Sequence, residues 1–447
     1  MPAPRGSIFT VKLLSLSPLR AGRILAASSL AALTAAALCT APLATAAPAS
    51  ASSLSSVGSS SGSSSGSSTD SSSAGEDYDF YMTPPSAVGY APAGTLLRES
   101  TVGVGRSRIL YSSTLEDGTP TYVSGAVLEP TGTWHGEGPA PTVVMAPGTR
   151  GLADHCAPTK GPGFRGQIAP LMSSMGINYE LPYYAKFRAR GMRLVLTDYI
   201  GLGTPGVHTY ANRVEQAHAV LDAARAVVGD SGRPVALFGY SQGGGAAAAG
   251  AELAEAYAPE LNLRATYAGA PPADLIAMLG GSPNLGPNLA YAIAGFSARD
   301  EGFATAVNGY LNSKGRYWLA ENSRSCIIDS MLRWGATPLS SLTDTGMSMA
   351  EFIASDERVS SVLAQQKLGT VAPTGRVLVG SAPNDDIVNH DQAMQLASDW
   401  QKLGAAVETT EVAGSPFSSR VSGGHAAGLI AQFDPALDWL EQALLAG

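Results

Sequence analysis

The stretch from Val235 to Tyr257 constrains the fold of this chain more tightly than any other. A short apolar run, Val235–Phe238, passes through Gly239-Tyr240-Ser241-Gln242-Gly243 into an alanine-rich segment that starts at Gly244 and ends at Tyr257. Strand, sharp turn and helix follow one another without a spacer. A serine framed by two glycines in such a turn sits on strained backbone, and side chains at the flanking positions would strike the neighbouring elements. The turn lifts the hydroxyl to the head of a helix, where the dipole favours developing negative charge. Ser241 is therefore expected to be a nucleophile.

The rest of the chain alternates in the way that builds a mostly parallel sheet with crossover helices. Strands are expected at Thr121–Leu128, Thr142–Ala146, Arg193–Thr197, Val235–Phe238, Ala265–Ala268, Val377–Val379 and Ala406–Val412. Helices are expected at Tyr183–Arg190, Glu215–Val228, Ala246–Tyr257, Gln392–Leu403 and Leu429–Leu445. One interval breaks the rhythm. Between the strand ending near Ala268 and the one starting near Arg376 lie roughly a hundred residues, where a plain connection needs only a few. Helix-like pieces at Leu289–Ile293, Phe303–Leu311, Ile327–Trp334 and Met349–Leu363 suggest an inserted helical cap over about residues 275–372, above the C-terminal edge of the sheet.

A serine hydroxyl at its ordinary pKa is a poor nucleophile and needs a base held by a carboxylate. On a strand–turn–helix elbow of this kind the partners follow in the order serine, acid, histidine. Of the six histidines, only His390 and His425 lie after Ser241. His425, in Ser422-Gly423-Gly424-His425 between the last strand and the last helix, suits the base. His390 is expected to open a helix with its imidazole in solvent. The acid should follow Val377–Val379, where the sequence reads Asn384-Asp385-Asp386-Ile387-Val388. Adjacent residues on a loop point in different directions, so one aspartate serves; Asp385 is preferred, with Asp386 left to cap the loop or the helix after it. Acyl transfer also needs donors aimed at an oxyanion. The backbone N–H of Gln242 is one. The other is sought in Pro147-Gly148-Thr149-Arg150-Gly151, with Thr149 first and Arg150 second.

The N-terminus reads differently. Arg5, Lys12, Arg20 and Arg23 precede an apolar run from Ile24 to Leu38 and then Ala44-Thr45-Ala46, with no acid among them. That is the pattern of a secretory signal peptide over residues 1–46, too short for a membrane span. Residues 47–77 are a serine- and glycine-rich tether with nothing apolar to bury, and the folded domain is expected over 78–447. Removing the four basic groups takes the formal charge from −8 to −12. An acidic protein without a basic tract is a poor partner for nucleic acid or anionic membranes. With Cys39 in the leader, Cys156 and Cys326 remain, an even pair in an oxidising compartment, and a disulfide between them is expected. No histidines or cysteines stand at metal-ligand spacing, so no metal is expected.

Together the Gly239–Gly243 elbow, the Pro147–Gly151 loop followed by Cys156-Ala157-Pro158, and Asp198-Tyr199-Ile200-Gly201-Leu202-Gly203 resemble the secretory lipase family of yeasts and actinobacteria. The helix around Val220–Ala226, Asp385–Val388 and Gly424-His425 are similar to it too. The resemblance implies an α/β-hydrolase fold, a cap inserted after the sixth strand, no cofactor, and hydrolysis of triacylglycerols or simpler esters outside the cell or at its envelope. A monomer in transient contact with lipid interfaces is expected. An acyltransferase that uses an alcohol in place of water fits the same residues. A serine peptidase or an inactive binding module fits them less well.

Overall fold

The computed structural model describes residues 80–169, 174–278, 285–412 and 423–446. The expected leader and the whole of the expected tether lie outside the described residues. The strands are β1 (Leu96–Gly103), β2 (Arg106–Thr114), β3 (Pro120–Leu128), β4 (Thr142–Ala146), β5 (Gly166–Ala169), β6 (Ser174–Ile177), β7 (Arg193–Thr197), β8 (Val235–Tyr240), β9 (Leu263–Gly269), β10 (Arg376–Ser381) and β11 (Val407–Glu411). Nine of them form one sheet in the order β1-β2-β3-β7-β4-β8-β9-β10-β11. The pairs from β7 through β11 are parallel, and β1, β2 and β3 add an antiparallel edge. This is the α/β-hydrolase fold.

The central strands are buried on both faces, which is why they read as unbroken apolar runs rather than alternating ones. In β4, Val144 and Ala146 face one layer while Val143 and Met145 face the other. The first layer is made by α2 (Arg213–Val228) and α3 (Gln242–Tyr257), whose Val220, Leu221, Ala246 and Ala247 pack on the sheet. The second is made by α1 (Leu181–Ala189) and the C-terminal helix α12 (Gly423–Leu445), through Phe187, Phe433, Leu437 and Leu440. Helix α11 (His390–Lys402) covers the β10 end with Leu396 and Trp400.

Between β9 and β10 run α4 (Leu275–Met278), α5 (Gly286–Ser297), α6 (Glu301–Tyr310), α7 (Ser313–Asn322), α8 (Ile327–Trp334), α9 (Met349–Ser355) and α10 (Glu357–Ala364). These helices have a core of their own, centred on Phe296, Phe303, Trp318, Phe352 and Val359. An ion pair of 2.8 Å between Arg299 and the buried Glu215 ties them to α2. The expected single helix over Met349–Leu363 is two. Asp356 ends the first at φ −113°, ψ 110° and caps the second by accepting the Val359 N–H, so the chain turns where a continuous apolar pattern hid the break.

Helix α7 and strands β1, β2, β5 and β6 are additions to the sequence-based expectation. The apolar face of α7 is mainly Trp318, too sparse for a periodic signal, and the Asn312 side chain starts it by accepting from Gly315 N–H. The final helix also begins earlier than Leu429. His425 therefore stands in its first turn rather than on a loop before it.

Candidate active site

Ser241 occupies the turn between β8 and α3 at φ +61°, ψ −124°, a region that residues other than glycine rarely enter. Two hydrogen bonds hold this backbone: Ser241 N–H donates to Gly269 O at 2.9 Å, and Gly245 N–H donates to Ser241 O at 3.0 Å. The flanking glycines are needed for space. A Cβ on Gly239 would lie 2.1 Å from Gly243 O, and one on Gly243 would lie 2.0 Å from Ala146 O. The elbow thus locks itself against the end of β4, where the Pro147–Gly151 loop begins.

His425 and Asp385 meet directly, with His425 Nδ1 donating to Asp385 Oδ2 at 2.7 Å. The other oxygen of Asp385 accepts the N–H groups of Ile387 and Val388 at 2.9 and 2.8 Å, which fixes the carboxylate. Burial pushes the Asp385 carboxyl up, but His425 and these donors outweigh it, leaving the group below its ordinary range. Burial likewise pulls the His425 imidazole down, and Asp385 more than reverses this, so its pKa lies above 6.5. Asp386 takes a different part. Its Oδ1 accepts the His425 backbone N–H at 3.1 Å, capping the final helix instead of the helix that follows it in sequence. Tyr240, next to the serine, packs its ring 5.0 Å from the His425 ring and donates its hydroxyl to His425 O at 2.9 Å. Residues distant in sequence are brought to one end of β8 by these contacts.

His390 does open α11, but its ring is not in solvent. Nδ1 lies 3.0 Å from Ser381 Oγ, and Nε2 faces Glu411 at 4.0 Å. A histidine at a helix start beside a sheet end is drawn in by the nearest polar groups.

The Pro147–Gly151 loop lies beside the elbow and is pinned on several sides. Gly148 N–H donates to Glu180 Oε1 at 3.1 Å, Tyr179 hydroxyl donates to Thr149 O at 3.1 Å, and Tyr199 hydroxyl donates to Pro147 O at 2.8 Å. Arg150 forms a buried ion pair of 2.5 Å with Glu180 and stacks 3.9 Å above the Tyr179 ring. The Arg150 side chain is thus an internal brace. Among the described residues, neither Thr149 N–H nor Gln242 N–H donates to a protein acceptor. The second is an unpaired first-turn donor of α3. The Gln242 side chain is set by His208. Burial pulls His208 down to about 4, so its ring is neutral; with Nδ1 donating to Ile200 O at 3.1 Å, Nε2 accepts from Gln242 Nε2 at 2.9 Å.

Glu180, Tyr179 and His208 escaped the sequence reading because their partners, the 148–150 loop and Gln242, are about 30 residues away along the chain. The two acceptors on the loop are backbone and leave no trace in side-chain identity. If Tyr179 sets the pose of the Thr149 peptide, Tyr179→Phe will lower kcat about tenfold with KM within about twofold, less than the loss of an oxyanion donor itself. Steady-state kinetics decides this; an equal change in KM would make the hydroxyl a general packing group.

Cys156 and Cys326 form a disulfide across 170 residues. Cys326 caps α8, and the bond is flanked by a bridge between Gly151 and Cys326 and by Ile327 N–H donating to Arg150 O at 2.8 Å. The loop carrying Thr149 is therefore stapled to the inserted helices. His155 is the third member of the group of potential metal-binding side chains found among the described residues, but both sulfurs of that group are spent in the disulfide. In Asp198-Tyr199, Asp198 accepts from Ser124 Oγ at 2.7 Å and Thr159 N at 3.0 Å, binding the strand end to the segment after Cys156. Burial pushes its carboxyl up to about 6. This motif is a structural staple.

Residues 167–446, well over half of the chain, match the model of the secretory lipases. The chain belongs to the secretory lipase family. It is thus a carboxylic ester hydrolase by family. A probable inactive lipase of Mycobacterium tuberculosis is 26% identical over 355 residues, covering 74% of this chain and 75% of the relative. A secreted triacylglycerol lipase of Malassezia globosa is 25% identical over 388 residues, covering 81% and 78%. Among solved structures, Candida antarctica lipase A in its closed state has a TM-score of 0.65 at 21% identity, covering 82% of this chain and 86% of that one. The rice cell wall degrading esterase LipA of Xanthomonas oryzae has a TM-score of 0.61 at 20% identity, covering 79% and 99%. These two likenesses are of fold. Among the described residues of this secretory lipase, no helix is long and apolar enough to cross a membrane.

Proposed function

We propose that this chain is a secreted serine ester hydrolase, a triacylglycerol lipase or carboxylesterase that works through an acyl-enzyme on Ser241. The observation that carries the reading is the 2.7 Å contact of Asp385 with His425 Nδ1, packed on the residue next to an elbow serine. With Nδ1–H committed to Asp385, Nε2 is the basic nitrogen and takes the serine proton as Oγ attacks the ester carbonyl. The N–H groups of Gln242 and Thr149 receive the oxyanion. Collapse expels the alcohol, protonated by His425. Water, deprotonated by the same nitrogen, then attacks the acyl-serine and returns Ser241 and the acid. Residues 1–46 serve as the export signal and 47–77 as a tether. The helices between β9 and β10 act as a cap, stapled to the oxyanion loop by the disulfide.

The Mycobacterium relative is described as a probable inactive lipase, whereas in this chain the direct contact of Asp385 with His425 supports an active triad with Ser241. Protein recovered from culture medium with its N-terminus at Ala47 is expected to release p-nitrophenol and free acid from a p-nitrophenyl ester. Adding an alcohol should leave the free acid as the main product. A product that is mostly new ester would make the enzyme an acyltransferase, and recovery only inside cells would remove the export reading.

A further inference from the structure

We propose that the segment His208–Tyr210 ties the oxyanion residues to the inserted helix α5, with Tyr210 as the positioning residue for Thr149. This rests on the acyl-enzyme reading above and adds a residue to its machinery. The two proposed donor residues belong to different elements, Gln242 to α3 and Thr149 to the loop after β4. Both reach the same three-residue segment. Gln242 Nε2 donates to His208 Nε2 at 2.9 Å, and the Thr149 hydroxyl meets the Tyr210 hydroxyl at 2.8 Å. Between them the Thr209 hydroxyl donates to the buried Glu215, which pairs with Arg299 just after α5. Thr149, His208 and Tyr210 are all buried.

The same segment carries α5. Asn288, Tyr291 and Gly295 stand at i, i+3 and i+7, on one face of that helix. Asn288 Nδ2 donates to the Tyr210 hydroxyl at 2.8 Å, and the Tyr291 ring meets the Tyr210 ring edge-on at 5.7 Å. A Cβ on Gly295 would lie 2.9 Å from Tyr210 N, so the glycine lets the helix rest directly on the backbone of the segment. Tyr210 thus meets Thr149 with the same oxygen that the inserted helix holds. The Gln242 N–H is set by the first turn of α3, whereas Thr149 lies outside any helix or strand and is held by contacts from other segments. An oxyanion donor works only when aimed where the charge will develop, and a displacement of about 1 Å can cost about 100-fold. A hydroxyl that fixes Thr149 therefore acts on rate rather than on substrate affinity.

The test is a pair of double-mutant cycles read on one p-nitrophenyl ester. Thr149→Val and Tyr210→Phe should each lower kcat about tenfold with KM within about twofold, and the double variant should lose no more than either alone. Thr149→Ser keeps the hydroxyl and should recover most of the loss. Asn288→Ala should lower kcat severalfold in the wild type and no further in Tyr210→Phe. A hydroxyl with only a structural role would lower the melting temperature and leave kcat, measured well below it, unchanged. Unchanged kcat in Tyr210→Phe, losses that multiply in either cycle, or losses that fall on KM overturn the proposal. Failure of the acyl-enzyme reading is seen separately, as wild-type protein that neither cleaves the ester nor takes up an alkyl phosphonate on Ser241.

Discussion

Ser241→Ala is expected to lower kcat for ester cleavage by about 10⁵-fold or more while leaving the fold intact. Serine and alanine face the same backbone cost at φ +61°, and the hydrogen bonds that hold the turn come from backbone groups of Ser241, Gly269 and Gly245. The melting curve should therefore move little, within about 1 kcal/mol of stability. What is lost is the atom proposed to carry the acyl group. The oxyanion donors and His425 remain, so a slow water reaction above background should survive. Two measurements settle it together: kcat on a p-nitrophenyl ester, and the mass gained on exposure to an alkyl phosphonate. Wild-type protein should gain one phosphonyl group and the variant none. Undiminished cleavage in the alanine variant would place the nucleophile elsewhere.

Much of this arrangement was legible because the parallel sheet imposes its own grammar. β4 and β7 keep the bounds read from their sequence, since both faces are covered and the residues between the strand ends are all apolar. The elbow was legible for the same kind of reason: Gly239 and Gly243 are glycines because backbone oxygens stand where their Cβ atoms would be. Strands β1 and β2 were not. They lie on the antiparallel edge, where β1 is largely exposed and its sequence, LLRESTVG, carries no burial pattern.

Side chains that act on backbone groups were equally silent. Glu180 sits just before α1, where a residue before a helix would be read as its cap, yet its carboxylate turns away to hold Gly148 and Arg150. Nothing in the order of residues links positions 148 and 180; only the packed fold does. The two aspartates of the acid loop show the limit of chemical typing most sharply. Residue type made both candidates, and the direction in which each side chain leaves the turn separates them, one to an imidazole and the other to a peptide N–H.

That separation predicts different fates for the two conservative variants. Asp385→Asn should cost about 10⁴-fold in kcat. An amide at this position can donate its own N–H to His425 Nδ1, which moves the imidazole proton to Nε2, where the ring can no longer accept from Ser241. The pH dependence should change as well, and in a stated direction. Cleavage needs neutral His425, so in the wild type kcat/KM falls as pH drops through the imidazole pKa, which Asp385 holds above 6.5. Without that carboxylate, burial is the dominant influence and favours the neutral ring. The acid limb of the variant should shift to lower pH although its rate is smaller throughout. Asp386→Asn keeps an acceptor oxygen for the His425 N–H, so its loss should stay within about tenfold. Its acid limb should move down only slightly, since Asp386 is the smallest of the influences that raise the imidazole. Rate profiles from pH 5 to 9 on one ester test all of this. A larger loss in Asp386→Asn than in Asp385→Asn would exchange the two roles, and an unmoved acid limb in Asp385→Asn would mean that His425 does not set it.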